Sequence, residues 1–313
     1  MRYIMAALAA LAAPAALAAL AALGLANTAQ AQELTGTLKK VHDTRTITMG
    51  VRDSSVPFSY LDGNQKPVGY AIDICLKVVE AIKTELKLPE LAVVMNPVTS
   101  STRIPLMANG TIDLECGSTT NNAERQKQVA FSNTYFLTAS KYLYKRSAGL
   151  ATIDSLKGKS VVSTSGTTNI VQLNKVNTER GLGINVLAGK DHAESFLLLE
   201  TGRAVAFVMD DVLLASLAAA AKEPGAYAIS DDAFSQPEPY AIMLRRDDAP
   251  FKAVVDQATA KLFKSPEGAA LYAKWFTSPI PPRNLNLNLP MAPGLARAFQ
   301  NPSDSPDPAH YGS

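Results

Sequence analysis

The sequence predicts an α/β protein with mostly parallel sheets and enough chain for two lobes. Strand-like segments alternate with segments whose apolar residues recur at helical spacing, a pattern typical of βαβ units. The chain has 313 residues, sufficient for two lobes with separate cores. Loops rich in Ser, Thr and Arg follow several predicted strands. Ligands of such sheets bind at this edge, beyond the carboxyl ends of the strands.

The first 31 residues have the features of a secretory signal peptide. Arg2 provides a short positive region, an Ala/Leu-rich stretch follows, and residues 29–31 form a small-x-small cleavage pattern. We expect cleavage after Ala31, a mature chain that starts at Gln32, and a periplasmic location. The alternative is a retained membrane anchor, against which Pro14 and the cleavage pattern both argue.

The first half of the mature chain alternates strands with helices. Residues 46–51 and 91–95 have the alternation and β-branched content of strands, and residues 112–114 form another apolar run. Apolar residues between 74 and 86 recur at helical spacing and predict an amphipathic helix. Residues 100–109 predict a further helix, which ends before a glycine.

A second alternating set begins near residue 141. A strand is predicted at residues 160–163, a helix from about Asn169, an extended segment at 236–240 and a strand at 240–244. Further elements are predicted at residues 141–146, 185–187, 196–201, 204–209, 211–221 and 250–276.

Charge and residue usage argue against several function classes. The formal net charge is +2, so the chain lacks the electrostatic footprint of a nucleic-acid binder. The three histidines have no histidine partner at i+4 and the two cysteines are far apart, so a transition-metal site lacks ligands. No GxSxG or GxxxxGK[ST] motif is present, and no GxGxxG motif follows a strand. We therefore expect no metal and no cofactor.

The two cysteines enter an oxidising compartment, where a disulfide is permitted. Cys75 lies on the amphipathic helix and Cys116 at the end of the strand at 112–114. A disulfide and two buried free thiols both remain open, because only the Cα separation decides between them. Neither arrangement makes the cysteines catalytic.

The most informative segment spans residues 112–136. An apolar run stops at Gly117 and is followed by the hydroxyls of Ser118, Thr119 and Thr120 and then by Arg125. A carboxylate in a partly dry cleft needs several donors, and the planar guanidinium fork matches it bidentately. The segment therefore predicts a site for a small carboxylate anion.

This segment carries a family resemblance. Its order of Asp, Gly-Ser-Thr-Thr, Arg, Val-Ala-Phe-Ser and Tyr-Phe resembles the signature of the polar amino-acid solute-binding proteins of ABC importers. Further segments resemble the periplasmic glutamate/aspartate-binding proteins, and the resemblance covers nearly all of residues 33–290. These segments are VRDSSVPFSY, TSSTRIPLMANGTIDLECGSTTNNAERQ, VVSTSGTTN, KDHAESF, GRAVAFVMDD and KWFTSPIPPRNLNLN.

The resemblance implies a two-lobe type II periplasmic binding fold, each lobe a mostly parallel sheet flanked by helices. The signal peptide takes residues 1–31, lobe 1 takes residues 32–139 and 238–282, and lobe 2 takes residues 140–237. Residues 283–313 form a carboxyl-terminal extension. Its end has few apolar residues, which predicts that it wraps the surface and frays.

The chemistry of an α-amino acid, together with the resemblance, assigns a first set of binding residues. Arg125, with Thr120 and Thr168, suits the α-carboxylate. Asp210, with Ser118, suits the α-ammonium, because a carboxylate accepts charge-assisted hydrogen bonds. The neighbouring Asp211 could replace Asp210 if the assignment is shifted by one residue.

A second set of residues, implied by the resemblance alone, gives acidic specificity. Arg52, Ser100, Arg103 and His192 form a site for a second carboxylate, which glutamate and aspartate carry and glutamine does not. Without an anion the buried arginines are strongly unfavourable, so a neutral side chain should be rejected.

These residues imply a protein that captures L-glutamate and L-aspartate by lobe closure and is not an enzyme. It would deliver them, as a monomer, to an inner-membrane ABC permease with a cytoplasmic ATPase. Two alternatives remain open: a periplasmic dehydratase-like enzyme on the same fold, and a binder of a different polar amino acid. The identifiable cleft residues are mostly arginine and hydroxyl, which favours binding over catalysis.

Overall fold

Two five-stranded sheets organise the protein, and helices pack on both. The computed structural model describes residues 33–312, so the predicted signal peptide lies outside the described residues. From Thr35 onward the chain belongs to one compact unit.

The helices are α1 (Gly36–Thr44), α2 (Tyr70–Leu86), α3 (Arg103–Ala108), α4 (Ala123–Gln126), α5 (Thr168–Glu179), α6 (His192–Glu200), α7 (Asp211–Ala220), α8 (Ala249–Phe263), α9 (Pro266–Phe276) and α10 (Pro293–Gln300). The strands are β1 (Thr46–Val51), β2 (Ser54–Ser55), β3 (Ser59–Leu61), β4 (Pro67–Val68), β5 (Ala92–Pro97), β6 (Leu114–Glu115), β7 (Val129–Phe131), β8 (Phe136–Thr138), β9 (Ser140–Lys145), β10 (Ser160–Thr164), β11 (Asn185–Gly189), β12 (Ala206–Asp210), β13 (Tyr227–Ile229), β14 (Glu238–Tyr240) and β15 (Met243–Arg245).

Both large sheets have the same design. The first has the order β5-β1-β6-β15-β7, and the second has the order β11-β10-β12-β9-β13. The first three strands of each order pair in parallel, and the fourth pairs antiparallel with both of its neighbours. Four strands of each sheet therefore point in one direction, and a single strand, β15 or β9, runs against them. This is a two-lobe α/β fold with one sheet in each lobe.

A two-stranded antiparallel ribbon lies between the two sheets along the chain. Strand β8 leaves the first sheet's lobe and β14 returns to it, and the two pair through Phe136 with Tyr240 and Thr138 with Glu238. Both connections therefore run side by side, and β8 and β14 together are called the hinge below.

Each sheet contributes to its own apolar core. In the first lobe, Val98, Met107, Ile112, Phe131 and Met243 pack together and are buried. The buried core of the second lobe comprises Tyr142, Leu150, Ile153, Leu156, Val161, Leu173, Leu182, Ile184, Ala206 and Val208. Separate cores allow the lobes to move as rigid bodies about the hinge.

Local hydrogen bonds move several element boundaries away from the predicted ones. Helix α3 begins at Arg103 rather than at residue 100, because Thr99 and Thr102 bond to each other through backbone and hydroxyl groups and hold a turn there. Ser100 therefore lies in a loop. The segment at 196–201 belongs mostly to α6, whose start is capped by Asp191 accepting from the Glu194 N–H at 2.8 Å.

The predicted strand at 240–244 is divided in two. Tyr240 ends the hinge strand β14, whereas Met243 pairs with both β6 and β7 in the first sheet. The chain passes from hinge to sheet over two residues, and this change of partner breaks the ladder.

The expectation that the carboxyl-terminal extension frays is wrong. Phe299 of α10 stacks on Phe263 with ring centroids 4.6 Å apart, and Tyr311 is buried. The Tyr311 hydroxyl lies 2.7 Å from Thr134 Oγ1, and the Asp304 carbonyl accepts from the Asn121 amide at 2.9 Å. A few well-placed apolar residues dock onto an existing core, so the segment needs no core of its own.

The described part of the chain contains a disulfide between Cys75 of α2 and Cys116 just beyond β6, with Cα atoms 6.2 Å apart. This disulfide ties α2 to the backbone immediately before the loop that contains Ser118, Thr119 and Thr120, which is called the Ser118 loop below. Within residues 33–312, no helix combines the length and apolar character needed to cross a bilayer.

Candidate ligand-binding site

The carboxyl ends of the parallel strands in the two sheets bring the predicted site residues together. Arg52, Ser100 and Ser118 follow β1, β5 and β6, and Arg103 begins α3. From the second lobe, Thr168 and His192 are the first residues of α5 and α6, and Asp210 ends β12. All nine predicted residues are buried except Thr168, which is half-buried.

Two arginines of the first lobe form a cationic pocket. Arg52 donates through Nη2 to Ser100 Oγ at 2.9 Å, and only 1% of its surface is exposed. Arg103 donates through Nη1 to the Ser118 carbonyl at 3.1 Å and to the Thr119 hydroxyl. Burial, and then the nearby charge of Arg103, lower the pKa of Arg52 to about 10, so Arg52 stays charged at neutral pH.

The pocket also holds a carboxylate that sequence reasoning did not single out. Glu115, fully buried at the end of β6, accepts from Thr119 Oγ1 and lies 3.7 Å from Arg103 Nη1. In the sequence, Glu115 is visible only as a charged residue that follows the apolar run before Gly117. A charged residue at the end of a strand more often faces solvent, so its burial is not predicted.

His192 enters the same pocket from the second lobe. Its Nδ1 lies 3.0 Å from Thr164 Oγ1, which also contacts Ser195 Oγ at 2.9 Å. Burial, followed by the charges of Arg52 and Arg103, holds the pKa of His192 well below its ordinary value. The imidazole is therefore neutral, and its Nε2 is buried without a hydrogen-bond partner among residues 33–312.

Arg125 spans the boundary between the lobes at the other pole of the site. It donates through Nη1 to the Thr120 carbonyl at 2.9 Å and through Nη2 to the Gly166 carbonyl of the second lobe at 3.3 Å. Thr120 Oγ1 and Thr168 Oγ1 approach to 3.5 Å across the same boundary. Burial and Arg103 lower the pKa of Arg125 to about 9.

Asp210 is the anionic group at this pole. Its Oδ1 accepts from Asn169 Nδ2 at 2.9 Å, and its Oδ2 accepts from the Tyr240 hydroxyl. Burial raises the pKa of Asp210, while both of these hydrogen bonds oppose the rise. The adjacent Asp211 instead accepts from Thr138 Oγ1 at 2.6 Å beside the hinge.

Four predicted site residues have a buried polar atom without a hydrogen-bond partner among residues 33–312. These atoms are Arg52 Nη1, Arg103 Nε, Ser118 Oγ and His192 Nε2. Buried donors left unpaired cost about 1–3 kcal/mol each, and more when charged, so their convergence between two lobes indicates a binding site.

The donor set does not fit a metal centre. Its cationic side chains repel a metal ion, and residues 33–312 contain no cluster of three or more His, Cys, Asp or Glu that could ligate one. Three guanidinium groups, hydroxyls and a single cleft-facing aspartate instead fit an organic molecule with two carboxylates and an ammonium.

Comparison with known proteins agrees with this chemistry. Residues 47–278 match the model of the bacterial extracellular solute-binding proteins, family 3. The L-glutamate/L-aspartate-binding protein of Pseudomonas aeruginosa is 53% identical over 275 residues, which are 88% of this chain and 91% of that protein. The glutamate/aspartate import solute-binding protein of Escherichia coli K12 is 47% identical over 282 residues, which are 90% of this chain and 93% of that protein.

Solved structures share the fold at lower identity. An ancestral arginine-binding protein bound to arginine superposes with a TM-score of 0.67 at 27% identity, covering 74% of this chain and 98% of that chain. A mutant arginine-binding protein from T. maritima gives a TM-score of 0.69 at 24% identity, with coverage of 77% and 99%.

Proposed function

The chain belongs to family 3 of the bacterial extracellular solute-binding proteins, and from this premise we propose that it captures L-glutamate and L-aspartate for import by an ABC-type permease. As a member of this family it is a binding protein and not an enzyme. The observation that supports the acidic ligand is the pair of buried arginines, Arg52 and Arg103, each with an unpaired donor atom beside His192.

One pole of the site suits the groups common to all α-amino acids. Arg125, Thr120 and Thr168 bind the α-carboxylate, and the guanidinium provides the bidentate match. Asp210 and Ser118 Oγ bind the α-ammonium, and the Tyr240 hydroxyl keeps Asp210 oriented.

The other pole binds the side-chain carboxylate. Arg52 Nη1 and Arg103 Nε donate to it, and Ser100 holds Arg52 in place. In the tautomer with the proton on Nε2, the Thr164 hydroxyl donates to Nδ1 of His192, and Nε2–H is free to donate to the ligand. A neutral side chain leaves positive charge in this pocket without a ligand anion, so glutamine should bind much more weakly.

Capture proceeds by closure about the hinge. Lobe 1 is assigned to residues 32–139 and 238–282, lobe 2 to residues 140–237, and the carboxyl-terminal extension to residues 283–313. Arg52, Arg103 and Arg125 come from lobe 1. Because Thr168, His192 and Asp210 come from lobe 2, only the closed form contacts the ligand from both sides, and binding shifts the population towards it.

The remaining assignments concern the cell. We propose cleavage after Ala31, a periplasmic location, action as a monomer, and delivery to an inner-membrane permease with a cytoplasmic ATPase. Two glutamate/aspartate-binding relatives are 53% and 47% identical along most of the chain, which supports these assignments.

Titration calorimetry tests the function directly. The mature protein is unfolded and refolded to remove carried-over ligand, and is then titrated with glutamate, aspartate, glutamine, arginine and prephenate. Tight binding of the two acidic amino acids alone supports the proposal. Preferential binding of glutamine or arginine refutes the acidic specificity, and turnover of prephenate refutes the assignment as a binding protein.

A further inference from the structure

Glu115 lies beneath the side-chain carboxylate pocket. It is fully buried, and its Oε1 has no hydrogen-bond partner within residues 33–312, whereas its Oε2 accepts from Thr119. A Cβ atom placed on Gly117 would lie 2.8 Å from Arg52 Cγ and closer still to Glu115 Oε1. The carboxylate therefore lies near the stem of Arg52, and its Oε1 is 3.7 Å from Nη1 of Arg103.

The hydroxyl of Thr119 links the carboxylate to the guanidinium. Arg103 Nη1 donates to Thr119 Oγ1, and Thr119 Oγ1 donates onward to Glu115 Oε2. This relay holds one edge of the Arg103 fork against protein acceptors and leaves Nε without a partner. Glu115 thus approaches Arg103 at Nη1 and not at the unpaired Nε.

The charges of Arg52, Arg103, Glu115 and His192 sum to a single positive charge, and Asp191 acts on Arg52 more weakly than Glu115 does. Arg52 and Arg103 each contribute one positive charge, Glu115 contributes one negative charge, and His192 is neutral because its pKa is well below the ordinary value. The pKa of Arg52 is lowered by burial and by Arg103, and Glu115 opposes that effect. The carboxylate is close enough to moderate both cations.

Resting on the proposed function, we propose that Glu115 is a specificity-determining residue that matches the pocket to a ligand side chain with one negative charge. It does not touch the ligand; it lowers the positive charge that the ligand side chain meets. Without Glu115, two uncompensated arginines favour anions over neutral groups more strongly, and a doubly charged anion gains most.

Glutamate and glutamine isolate this effect. They have nearly the same shape and carry the same α-carboxylate and α-ammonium. A change of charge in the pocket affects these shared groups equally in both ligands, so their contribution cancels when the two affinities are compared. The ratio of the two affinities therefore reports the side-chain pocket alone. A phosphonate analogue of glutamate, 2-amino-4-phosphonobutyrate, extends the series to a dianionic side chain at about pH 8.

The experiment compares Glu115→Gln with the wild-type protein by titration calorimetry. We expect the preference for glutamate over glutamine to rise at least about tenfold, a conservative figure for a full charge removed a few ångströms away. The phosphonate should gain more than glutamate. Glu179→Gln is the matched control, because Glu179 is exposed on α5 and forms an ion pair with Lys175 at 3.9 Å.

Glu115→Asp keeps the charge but withdraws it from Arg103. It should change the glutamate-to-glutamine ratio in the same direction by a smaller factor, and it provides the test if the Gln variant does not fold. An unchanged or reduced ratio in the folded variants overturns the inference. Failure of the wild-type protein to bind glutamate refutes the proposed function instead, so the two failures are distinguishable.

Discussion

Gly166 offers a direct test of whether ligand capture requires closure of the lobes. It lies in the second lobe between β10 and α5, with φ +75°, and its carbonyl accepts from Arg125 of the first lobe. A Cβ atom at this position would lie 2.6 Å from the N and Cα atoms of Ser101 and 2.7 Å from the carbonyl carbon of Ser100. Both serines belong to the first lobe's loop, so Gly166→Ala acts as a wedge.

The size of the effect follows from these distances. Carbon atoms pack at about 3.5 Å or more, so the loops must separate by roughly 0.9 Å. A ligand hydrogen bond stretched by that amount is lost, and a hydrogen bond to a charged group contributes about 1.5–3 kcal/mol. We therefore expect Gly166→Ala to weaken glutamate binding at least tenfold, with about 1.4 kcal/mol corresponding to each factor of ten.

The assay separates the wedge from backbone strain. Alanine at a positive φ is unfavourable by roughly 1–2 kcal/mol in open and closed forms alike, which affects the free energy of unfolding and not affinity. Gly202→Ala is the matched control, because Gly202 has φ +73° and, apart from its chain neighbours, no atom of residues 33–312 lies within 4 Å of the added Cβ. Calorimetric affinity and small-angle scattering with and without glutamate are measured for both variants. Wild-type affinity in folded Gly166→Ala refutes the requirement for this close approach.

Three further substitutions test other parts of the molecule. Arg103→Ala should weaken glutamate binding by more than about 2 kcal/mol in calorimetry, because it removes one member of a buried charged contact; an unchanged affinity removes Arg103 from the site. Burial, and then Asp210, raise the pKa of Glu238 from 4.5 to about 7, so its carboxyl binds a proton more tightly in the folded state and its contribution to stability falls as pH rises through that interval. In urea titrations at about pH 8, the free energy of unfolding of Glu238→Gln should therefore exceed that of the wild-type protein by up to about 3 kcal/mol. The difference should shrink towards pH 4.5, and equal stability of the two proteins at both pH values contradicts this prediction. Replacing Cys75 and Cys116 together by serine should lower the free energy of unfolding by about 3–4 kcal/mol, since the bridge closes a loop with a sequence separation of 41, and the control is wild-type protein with reductant.

The alternation of strands and helices, and polar residues placed just after strands, could be predicted because both depend on short stretches of sequence. Arg52, the Ser118 loop and Asp210 all follow from this local pattern. The predicted helix at residues 100–109 is present, but it starts at Arg103, so its predicted start at Ser100 is wrong. The turn that places it in a loop depends on reciprocal bonds between Thr99 and Thr102, which the helical spacing does not reveal.

The supporting residues could not be predicted, because they act through partners that are distant in sequence. Tyr240 orients Asp210 from 30 positions away, and Thr164 at the end of β10 contacts His192 from 28 positions away. Glu115 and Thr119 belong to the segment at residues 112–136, yet the hydrogen bond from Arg103 to Thr119 and the ion pair between Arg103 and Glu115 depend on how α3 packs against β6. No local pattern distinguishes a buried counter-ion from a charged residue that faces solvent.

The docked carboxyl-terminal extension affects how this protein could be made into an optical sensor. The family match ends at residue 278, but a chain shortened to that point would uncover Phe263 and remove the carbonyl of Asp304 that holds Asn121, the neighbour of Thr120. The segment that matches the family model is therefore shorter than the segment that packs together as one folded unit. A fluorescent reporter is better inserted in an exposed loop such as the one at Gly202 than fused directly after the buried Tyr311, where it would pull on the loop that binds the analyte.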